Sequence, residues 1–238
     1  MEVLAIIPAK KISKGLLNKN IKKLDGHPLL TYSIAAGLKC SSINRVICTT
    51  NSKKIANIAI KYGAEAPFLR PDKYCRDHSS DIEFIKHCLD WLKKNENYKP
   101  DLIVQLRPTS PIRYTKHLND AIKKMKNNKN ADSLRAVSSP ITTPYKMWKI
   151  KNHYLNPLLK IRKNKEPYNT PRQKLPKVFA QTGYVDIIRY DTIVKMNSLT
   201  GNRILSYIVP ENTYVDVDDK LSFDIAEIYI KKYNSVRP

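Results

Sequence analysis

Residues Ile6 to Asn20 concentrate the most distinctive chemistry of this 238-residue chain. An apolar run, Val3-Leu4-Ala5-Ile6-Ile7, ends at Pro8 and enters a loop that carries Lys10, Lys11, Lys14 and Lys19, with Gly15 as its glycine. A buried strand that delivers cations and backbone N–H groups to its carboxyl end suits a polyphosphate, because open α/β sheets bind ligands at that edge. The loop lacks the paired glycines and the Gly-Lys-Ser/Thr ending of a P-loop. A basic surface loop after an ordinary first strand is the competing reading. Far along the chain, Tyr214-Val215-Asp216-Val217-Asp218-Asp219 carries the opposite charge. In extended backbone Asp216 and Asp218 share a face, and two neighbouring carboxylates repel unless a cation lies between them. Magnesium fits, since it takes one or two carboxylates together with substrate phosphates, and manganese is its substitute here. The rival use of Asp218 or Asp219 is as the N-cap of a helix beginning at Lys220.

A third constellation is Arg107-Pro108-Thr109-Ser110-Pro111-Ile112-Arg113, after the apolar strand Leu102–Leu106. Two prolines and two hydroxyls make a rigid turn at a sheet edge, with Thr109 or Ser110 also suited to capping the next helix. The five histidines form no H-x-x-x-H or Cys/His cluster, which argues against zinc. No G-x-S-x-G elbow is present, and no covalent nucleophile is implied.

The elements that must hold these residues alternate. Strands are predicted at Val3–Ile7, Arg45–Thr50, Leu102–Leu106 and Ser133–Val137, with helices at Leu29–Leu38, Lys53–Tyr62, Asp81–Lys93 and Leu118–Lys126 between them. Such alternation predicts a Rossmann-like α/β fold, a mainly parallel sheet with helices on both faces. Gly63 is the expected left-handed stop of the second helix. Residues 141 to 177 break the pattern with five prolines and scattered aromatics, so they read as an irregular excursion from one domain. Strand signal returns at Val178–Ile188 and Ile204–Val209. A last helix, Lys220–Tyr233, is expected to pack through Leu221, Ile225, Ile228 and Tyr229.

Composition narrows the function classes. A hydrophobic fraction of 42% with fourteen Tyr suits a folded globular protein, and every apolar run is too short to span a bilayer. The chain opens directly into a strand, so no signal peptide is expected. Cys40, Cys48, Cys75 and Cys88 have no paired spacing and read as reduced thiols of a cytoplasmic protein. The net charge of +22 raises nucleic acid as a partner. The lysines are spread along helix faces, however, and no nucleic-acid-binding signature accompanies them, so only weak, salt-sensitive binding is expected.

Taken together, these segments resemble the acylneuraminate cytidylyltransferases, the CMP-sialic acid synthetase family, in family order over nearly the whole chain. The family's first loop reads I-P-A-R-G-G-S-K-G-x-x-x-K-N, matched here by Pro8, Ala9, Ser13, Lys14, Gly15, Lys19 and Asn20, while Lys10 replaces the arginine and Lys11 and Ile12 replace two glycines. Thr49 to Ser52, Phe68-Leu69-Arg70-Pro71 and Asp77 to Asp81 resemble segments that approach the nucleotide, with Asn51 in place of an aspartate. Arg107 stands where the family's Q-P-T-S-P-x-R has a glutamine directed at the sugar acid, and Gln105 lies two residues earlier on the same strand face. Pro144 to Trp148 and Tyr168 to Pro176, which includes Arg172-Gln173, resemble the family's substrate and dimerisation region, with Gln181-Thr182-Gly183 on the strand that follows.

The resemblance implies a magnesium-dependent transfer of CMP from CTP to a nine-carbon 2-keto-3-deoxy sugar acid by a homodimer. It implies nucleotide contacts from Pro8, Ala9, Lys10, Ser13, Lys14, Asn20, Arg70, Ser79 and Ser80. Substrate contacts would come from Gln105, Arg107, Thr109, Ser110, Arg172, Gln173 and Gln181, metal ligands from Asp216 and Asp218, and catalytic roles from Lys19 and Asp218. The altered residues leave two alternatives, a cytidylyltransferase for another acid (an eight-carbon ketosugar acid or a phosphonate) and a nucleotide-binding relative without catalysis.

Overall fold

The computed structural model describes residues 1–13, 15–162, 164–210 and 214–238. Its elements in chain order are β1 (Val3–Pro8), β2 (Lys23–Leu24), β3 (His27–Pro28), α1 (Leu29–Leu38), β4 (Arg45–Thr49), α2 (Lys53–Lys61), α3 (Asp81–Glu96), β5 (Leu102–Gln105), α4 (Thr115–Asn127), β6 (Ser133–Ser138), β7 (Trp148–Lys151), β8 (Tyr154–Pro157), β9 (Ala180–Arg189), α5 (Tyr190–Val194), β10 (Ile204–Ile208) and α6 (Lys220–Lys232). The chain divides into two compact units, one built from residues 1–136 with 182–238 and the other from 137–181.

In the larger unit the main sheet has six strands in the order β10-β6-β9-β5-β1-β4. β1 pairs in parallel with β4 and with β5, and β9 runs antiparallel to β5. Both faces of β1 are buried, and its side chains divide by parity. Val3, Ala5 and Ile7 join the cluster formed with α1, α2 and α4, where Leu30, Ile34, Ile55, Leu118 and Ile122 lie. Leu4 and Ile6 join the opposite cluster, with Phe84, Ile85, Cys88, Leu89 and Leu92 of α3. The helical spacing of the α3 residues thus corresponds to one buried stripe. Gly63 ends α2 with φ +92°, the left-handed conformation its position requires.

The register of α6 differs from expectation. Phe223, Ala226 and Ile230 are its buried residues, packed with Leu24, Leu29, Tyr32, Val215 and Val217. Leu221 and Ile228 are exposed instead, at 69% and 61%. The helix carries apolar residues on two faces, and periodicity cannot rank two apolar stripes.

The smaller unit is more regular than its prolines suggest. β7 and β8 form an antiparallel hairpin in which Lys151 pairs with Tyr154. The two residues between them, Asn152 and His153, both have positive φ (48° and 68°). This is the two-residue turn whose twist matches that of the strands. Trp148 packs against Tyr168 with ring centroids 4.4 Å apart, and Ile150, Tyr154 and Leu155 are exposed. Among the described residues no helix is long and apolar enough to cross a membrane.

Candidate functional site

The carboxyl ends of β1 and β5 open onto a cavity of about 350 Å³. The loop after β1 is anchored from both sides by side-chain amides. Asn20, almost fully buried, donates through Nδ2 to the Lys10 carbonyl at 2.9 Å. Asn51 accepts from the Lys11 backbone N–H at 2.9 Å and donates to Asp72 Oδ1 at 2.8 Å. That double role explains the asparagine: an aspartate at this position would set two carboxylates against each other. Neither Lys11 nor Ile12 has positive φ, so the loop follows a path that does not need the glycines they replace. A β-branched residue is therefore unstrained at position 12.

Gly15 is used for close approach. A Cβ there would collide with the backbone carbonyl of Asp218, so the glycine lets the β1 loop lie against the acidic segment. Gly15→Ala is therefore expected to destabilise the protein by about 1–3 kcal/mol, the usual range for overpacking, as read by urea denaturation. The adjoining Lys19 is mostly buried and donates through Nζ to the Val217 carbonyl at 2.9 Å and to Asp218 Oδ1 at 3.1 Å.

The acidic segment is held by the Val217 N–H, which donates to the Thr109 carbonyl at 2.8 Å. Val215 and Val217 are buried while Asp216 and Asp218 are exposed, so the two carboxylates do share a side. The capping question resolves in favour of Asp219, whose carboxylate accepts from the Ser222 N–H at 2.8 Å in a capping box at the start of α6. The Asp218 carboxylate takes no part in that cap.

Opposite the loop, Arg70 is buried. Its Nε donates to Thr49 Oγ1 at 3.1 Å and Nη2 to the Thr49 carbonyl at 2.5 Å, with the guanidinium 4.5 Å from the Phe84 ring centroid. Burial lowers its proton affinity below that of an ordinary arginine. Lys10 pairs with Asp77 at 3.2 Å. Burial raises the pKa of the neighbouring Cys75 thiol, so it stays protonated near neutrality.

The structure brings Pro8, Lys10, Ser13, Lys19, Asn20, Arg70, Ser79, Arg107 and Thr109 into the wall of this one cavity. Several other expected residues stand elsewhere. Ala9 is fully buried and donates its N–H to the Thr49 carbonyl. Ser80 N–H donates to Glu83 Oε2 at 3.0 Å in the capping box of α3, so this residue serves the start of the helix and not the cavity wall. Gln105 is 1% exposed, its amide engaged with Asp81 and Arg107, and it supports the wall from behind. Ser110 is buried beside Gly183.

Arg172, Gln173 and Gln181 belong to the smaller unit, where Arg172 donates to the Pro140 carbonyl at 2.6 Å. Lys14 lies outside the described residues. Tyr74, Cys75, Arg76, Phe84 and Pro108 also line the cavity and were not expected as site residues. The first three fall between the two matched segments at Arg70 and Ser79, and that proximity along the chain was the available signal.

The carboxylates that could hold a divalent ion are Asp216 and Asp218, both exposed. Among the described residues no cluster of three His, Cys, Asp or Glu side chains forms a closed cage. An ion that completes its shell with phosphate oxygens and water suits such a pair, whereas a caged metal such as structural zinc does not.

Comparison with known proteins places this geometry. The chain is 30% identical over 238 residues to N-acylneuraminate cytidylyltransferase of Escherichia coli, covering 98% of this chain and 53% of that protein. It is 28% identical over 235 residues to CMP-N,N'-diacetyllegionaminic acid synthase of Campylobacter jejuni, covering 98% of this chain and 97% of that one. Its fold is similar to that of CMP:2-keto-3-deoxy-manno-octonic acid synthetase complexed with CTP, with TM-score 0.71, 13% identity, and coverage of 98% and 99% of the two chains. Residues 4–206 match the sequence model of the cytidylyltransferase family. With a lysine-bearing loop after β1, Asp218 paired to it through Lys19 and this match over most of its length, the chain belongs to the cytidylyltransferase family.

Proposed function

We propose that this protein transfers CMP from CTP to a nonulosonic, sialic-acid-like sugar acid and releases pyrophosphate. The observation that carries the reading is the convergence of Lys10, Lys19, Asn20, Arg70 and Arg107 on one cavity, with Asp218 joined to it through Lys19 although neither Asp216 nor Asp218 lines it, in a chain whose full-length relatives act on such acids. The hydroxyl on the sugar's anomeric carbon attacks the α-phosphorus. A new P–O bond forms as the bond to the departing pyrophosphate breaks, and the hydroxyl proton is released.

Little covalent chemistry falls to the protein in such a step, so positioning and charge neutralisation supply the rate. Lys10 and Lys19 offset phosphate charge, Asn20 holds the loop in place, and Arg70 with Phe84 walls the nucleotide side. Magnesium, held by Asp216 and Asp218, would neutralise charge on the phosphates. The smaller unit presents exposed apolar residues on β7 and β8, which fits a homodimer contact. The four free cysteines fit a reducing compartment such as the cytoplasm.

Isothermal titration should show CTP binding in the presence of Mg²⁺, in preference to UTP, ATP and GTP, and pyrophosphate release should require a nonulosonic acid. Well-folded protein that binds no CTP would overturn the reading. Sedimentation should give a dimer at working concentration, and a fully active monomer would remove the proposed role of residues 141 to 177.

A further inference from the structure

Asp81 opens α3 and lines the cavity with one carboxylate oxygen already committed. Its Oδ2 accepts from Arg107 Nη2 at 2.8 Å and from Gln105 Nε2 at 2.9 Å. Its Oδ1 has no hydrogen-bond partner among the described residues, and the side chain is 39% exposed. Arg107 is held in turn from below, where Nη1 donates to Asp186 Oδ2 at 2.7 Å. Asp186 is buried directly across from Gln105 in the β5–β9 register. The arginine at this position is therefore in direct contact with two carboxylates, of which Asp186 is shared with Arg135 at 3.9 Å. What this wall offers a ligand is an acceptor oxygen, not an unpaired cation. A substrate carboxylate placed against it would meet repulsion from Asp81, whereas a hydroxyl or an amide N–H would be accepted.

The location selects which substrate this concerns. Both contacts to Asp81 come from residues at the end of β5, while Arg70 is tied to the end of β4 through Thr49. β1, with its cationic loop, lies between those two strands in the sheet. Phosphates on that loop leave the Arg70 side for the base and the β5 side for the acid. On the cytidylyltransferase reading given above, we propose that Asp81 is a specificity-determining residue. Its Oδ1 accepts a hydrogen bond from a hydroxyl or acylamino N–H of the sugar acid, with Arg107 and Gln105 as positioning residues.

The test uses the full chain with CTP, Mg²⁺, and N-acetylneuraminic and N,N'-diacetyllegionaminic acids, plus congeners in which one hydroxyl or one acylamino group is replaced by hydrogen. Asp81→Asn should lower kcat/KM for the better parent acid at least about tenfold, the loss of one hydrogen bond to a charged group. Its CTP affinity by isothermal titration should stay within about twofold of wild type. The congener that lacks the matching donor should be insensitive to the substitution, and its identity distinguishes hydroxyl from amide. Unchanged kcat/KM with both parents, an equal fall with every congener, or a matching fall in CTP affinity would each overturn the assignment while leaving the cytidylyltransferase reading intact. Wild-type protein that binds no CTP, or turns over neither acid, would instead reject that reading, and this assignment with it.

Discussion

Replacing Asp218 by asparagine is expected to lower turnover about a hundredfold or more while leaving the stability of the fold nearly unchanged. On the proposed function Asp218 supplies one of two carboxylates for the divalent ion that neutralises phosphate charge, and losing such preorganised electrostatics typically costs that much. The structural cost is small because the side chain is 76% exposed and its partner is a single lysine, Lys19. Lys19 is mostly buried, but it keeps the Val217 carbonyl and an asparagine oxygen as acceptors, so the change costs about 0–1 kcal/mol. The neighbouring residue gives the opposite result. Asp219 caps α6, so Asp219→Ala should lower the urea midpoint with turnover changed little. Pyrophosphate release and urea denaturation of the two variants decide the matter. A folded Asp218→Asn protein with full activity would remove the metal assignment.

The second large effect is expected at Arg113, where leucine should destabilise the protein by about 3–5 kcal/mol. Its guanidinium is fully buried and has no carboxylate hydrogen-bond partner among the described residues. Nε donates to the Tyr184 carbonyl at 2.7 Å, Nη1 to Ser33 Oγ at 2.8 Å and to the Ser110 carbonyl, and Nη2 to the carbonyls of Arg107 at 2.9 Å and Gly183 at 3.2 Å. Burial pushes its pKa down to about 10, which still leaves it charged at neutral pH. Leucine would remove the cost of burying that charge, but it would take the guanidinium donor from the carbonyls of Tyr184, Ser110 and Gly183, each at about 1–3 kcal/mol, while the Arg107 carbonyl keeps the Ser110 N–H and the Ser33 hydroxyl. The same bonds pin the turn from Arg107 to Ser110 against β9, so the cavity wall should loosen as well. Lysine should not rescue the variant, because one ammonium cannot reproduce a fork that reaches five acceptors. A denaturation midpoint close to wild type for Arg113→Leu would show that the turn relaxes without its anchor.

Much of the site was legible because its pieces are local. The first strand, the lysines behind it, the Arg107 to Arg113 turn and the Asp216–Asp218 pair are each contiguous, and each keeps its character in the fold. Alternating burial placed Asp216 and Asp218 on one side through a rule that needs only neighbouring residues. Element boundaries also followed, since apolar spacing, Gly63 and the Ser80 cap act within a few residues of themselves.

Tertiary structure decided whatever depended on distant partners. Sequence could not tell whether Asp218 or Asp219 caps α6, because both stand at the right spacing and only the hydrogen bond to Ser222 distinguishes them. Nor could it choose the buried face of α6, where the cluster around Val215 and Val217 prefers Phe223 to Leu221. The substitutions at Lys11, Ile12 and Asn51 looked like defects beside the family pattern, and the fold turns them into a loop braced by Asn20 and Asn51. Arg107 read as a substrate contact standing where the family pattern has a glutamine. Asp81 and Asp186, 26 and 79 residues away along the chain, pair with it and leave an acceptor in its place. A side chain's charge is written in the sequence, but the field it presents to a ligand is set by what the fold brings within hydrogen-bonding distance.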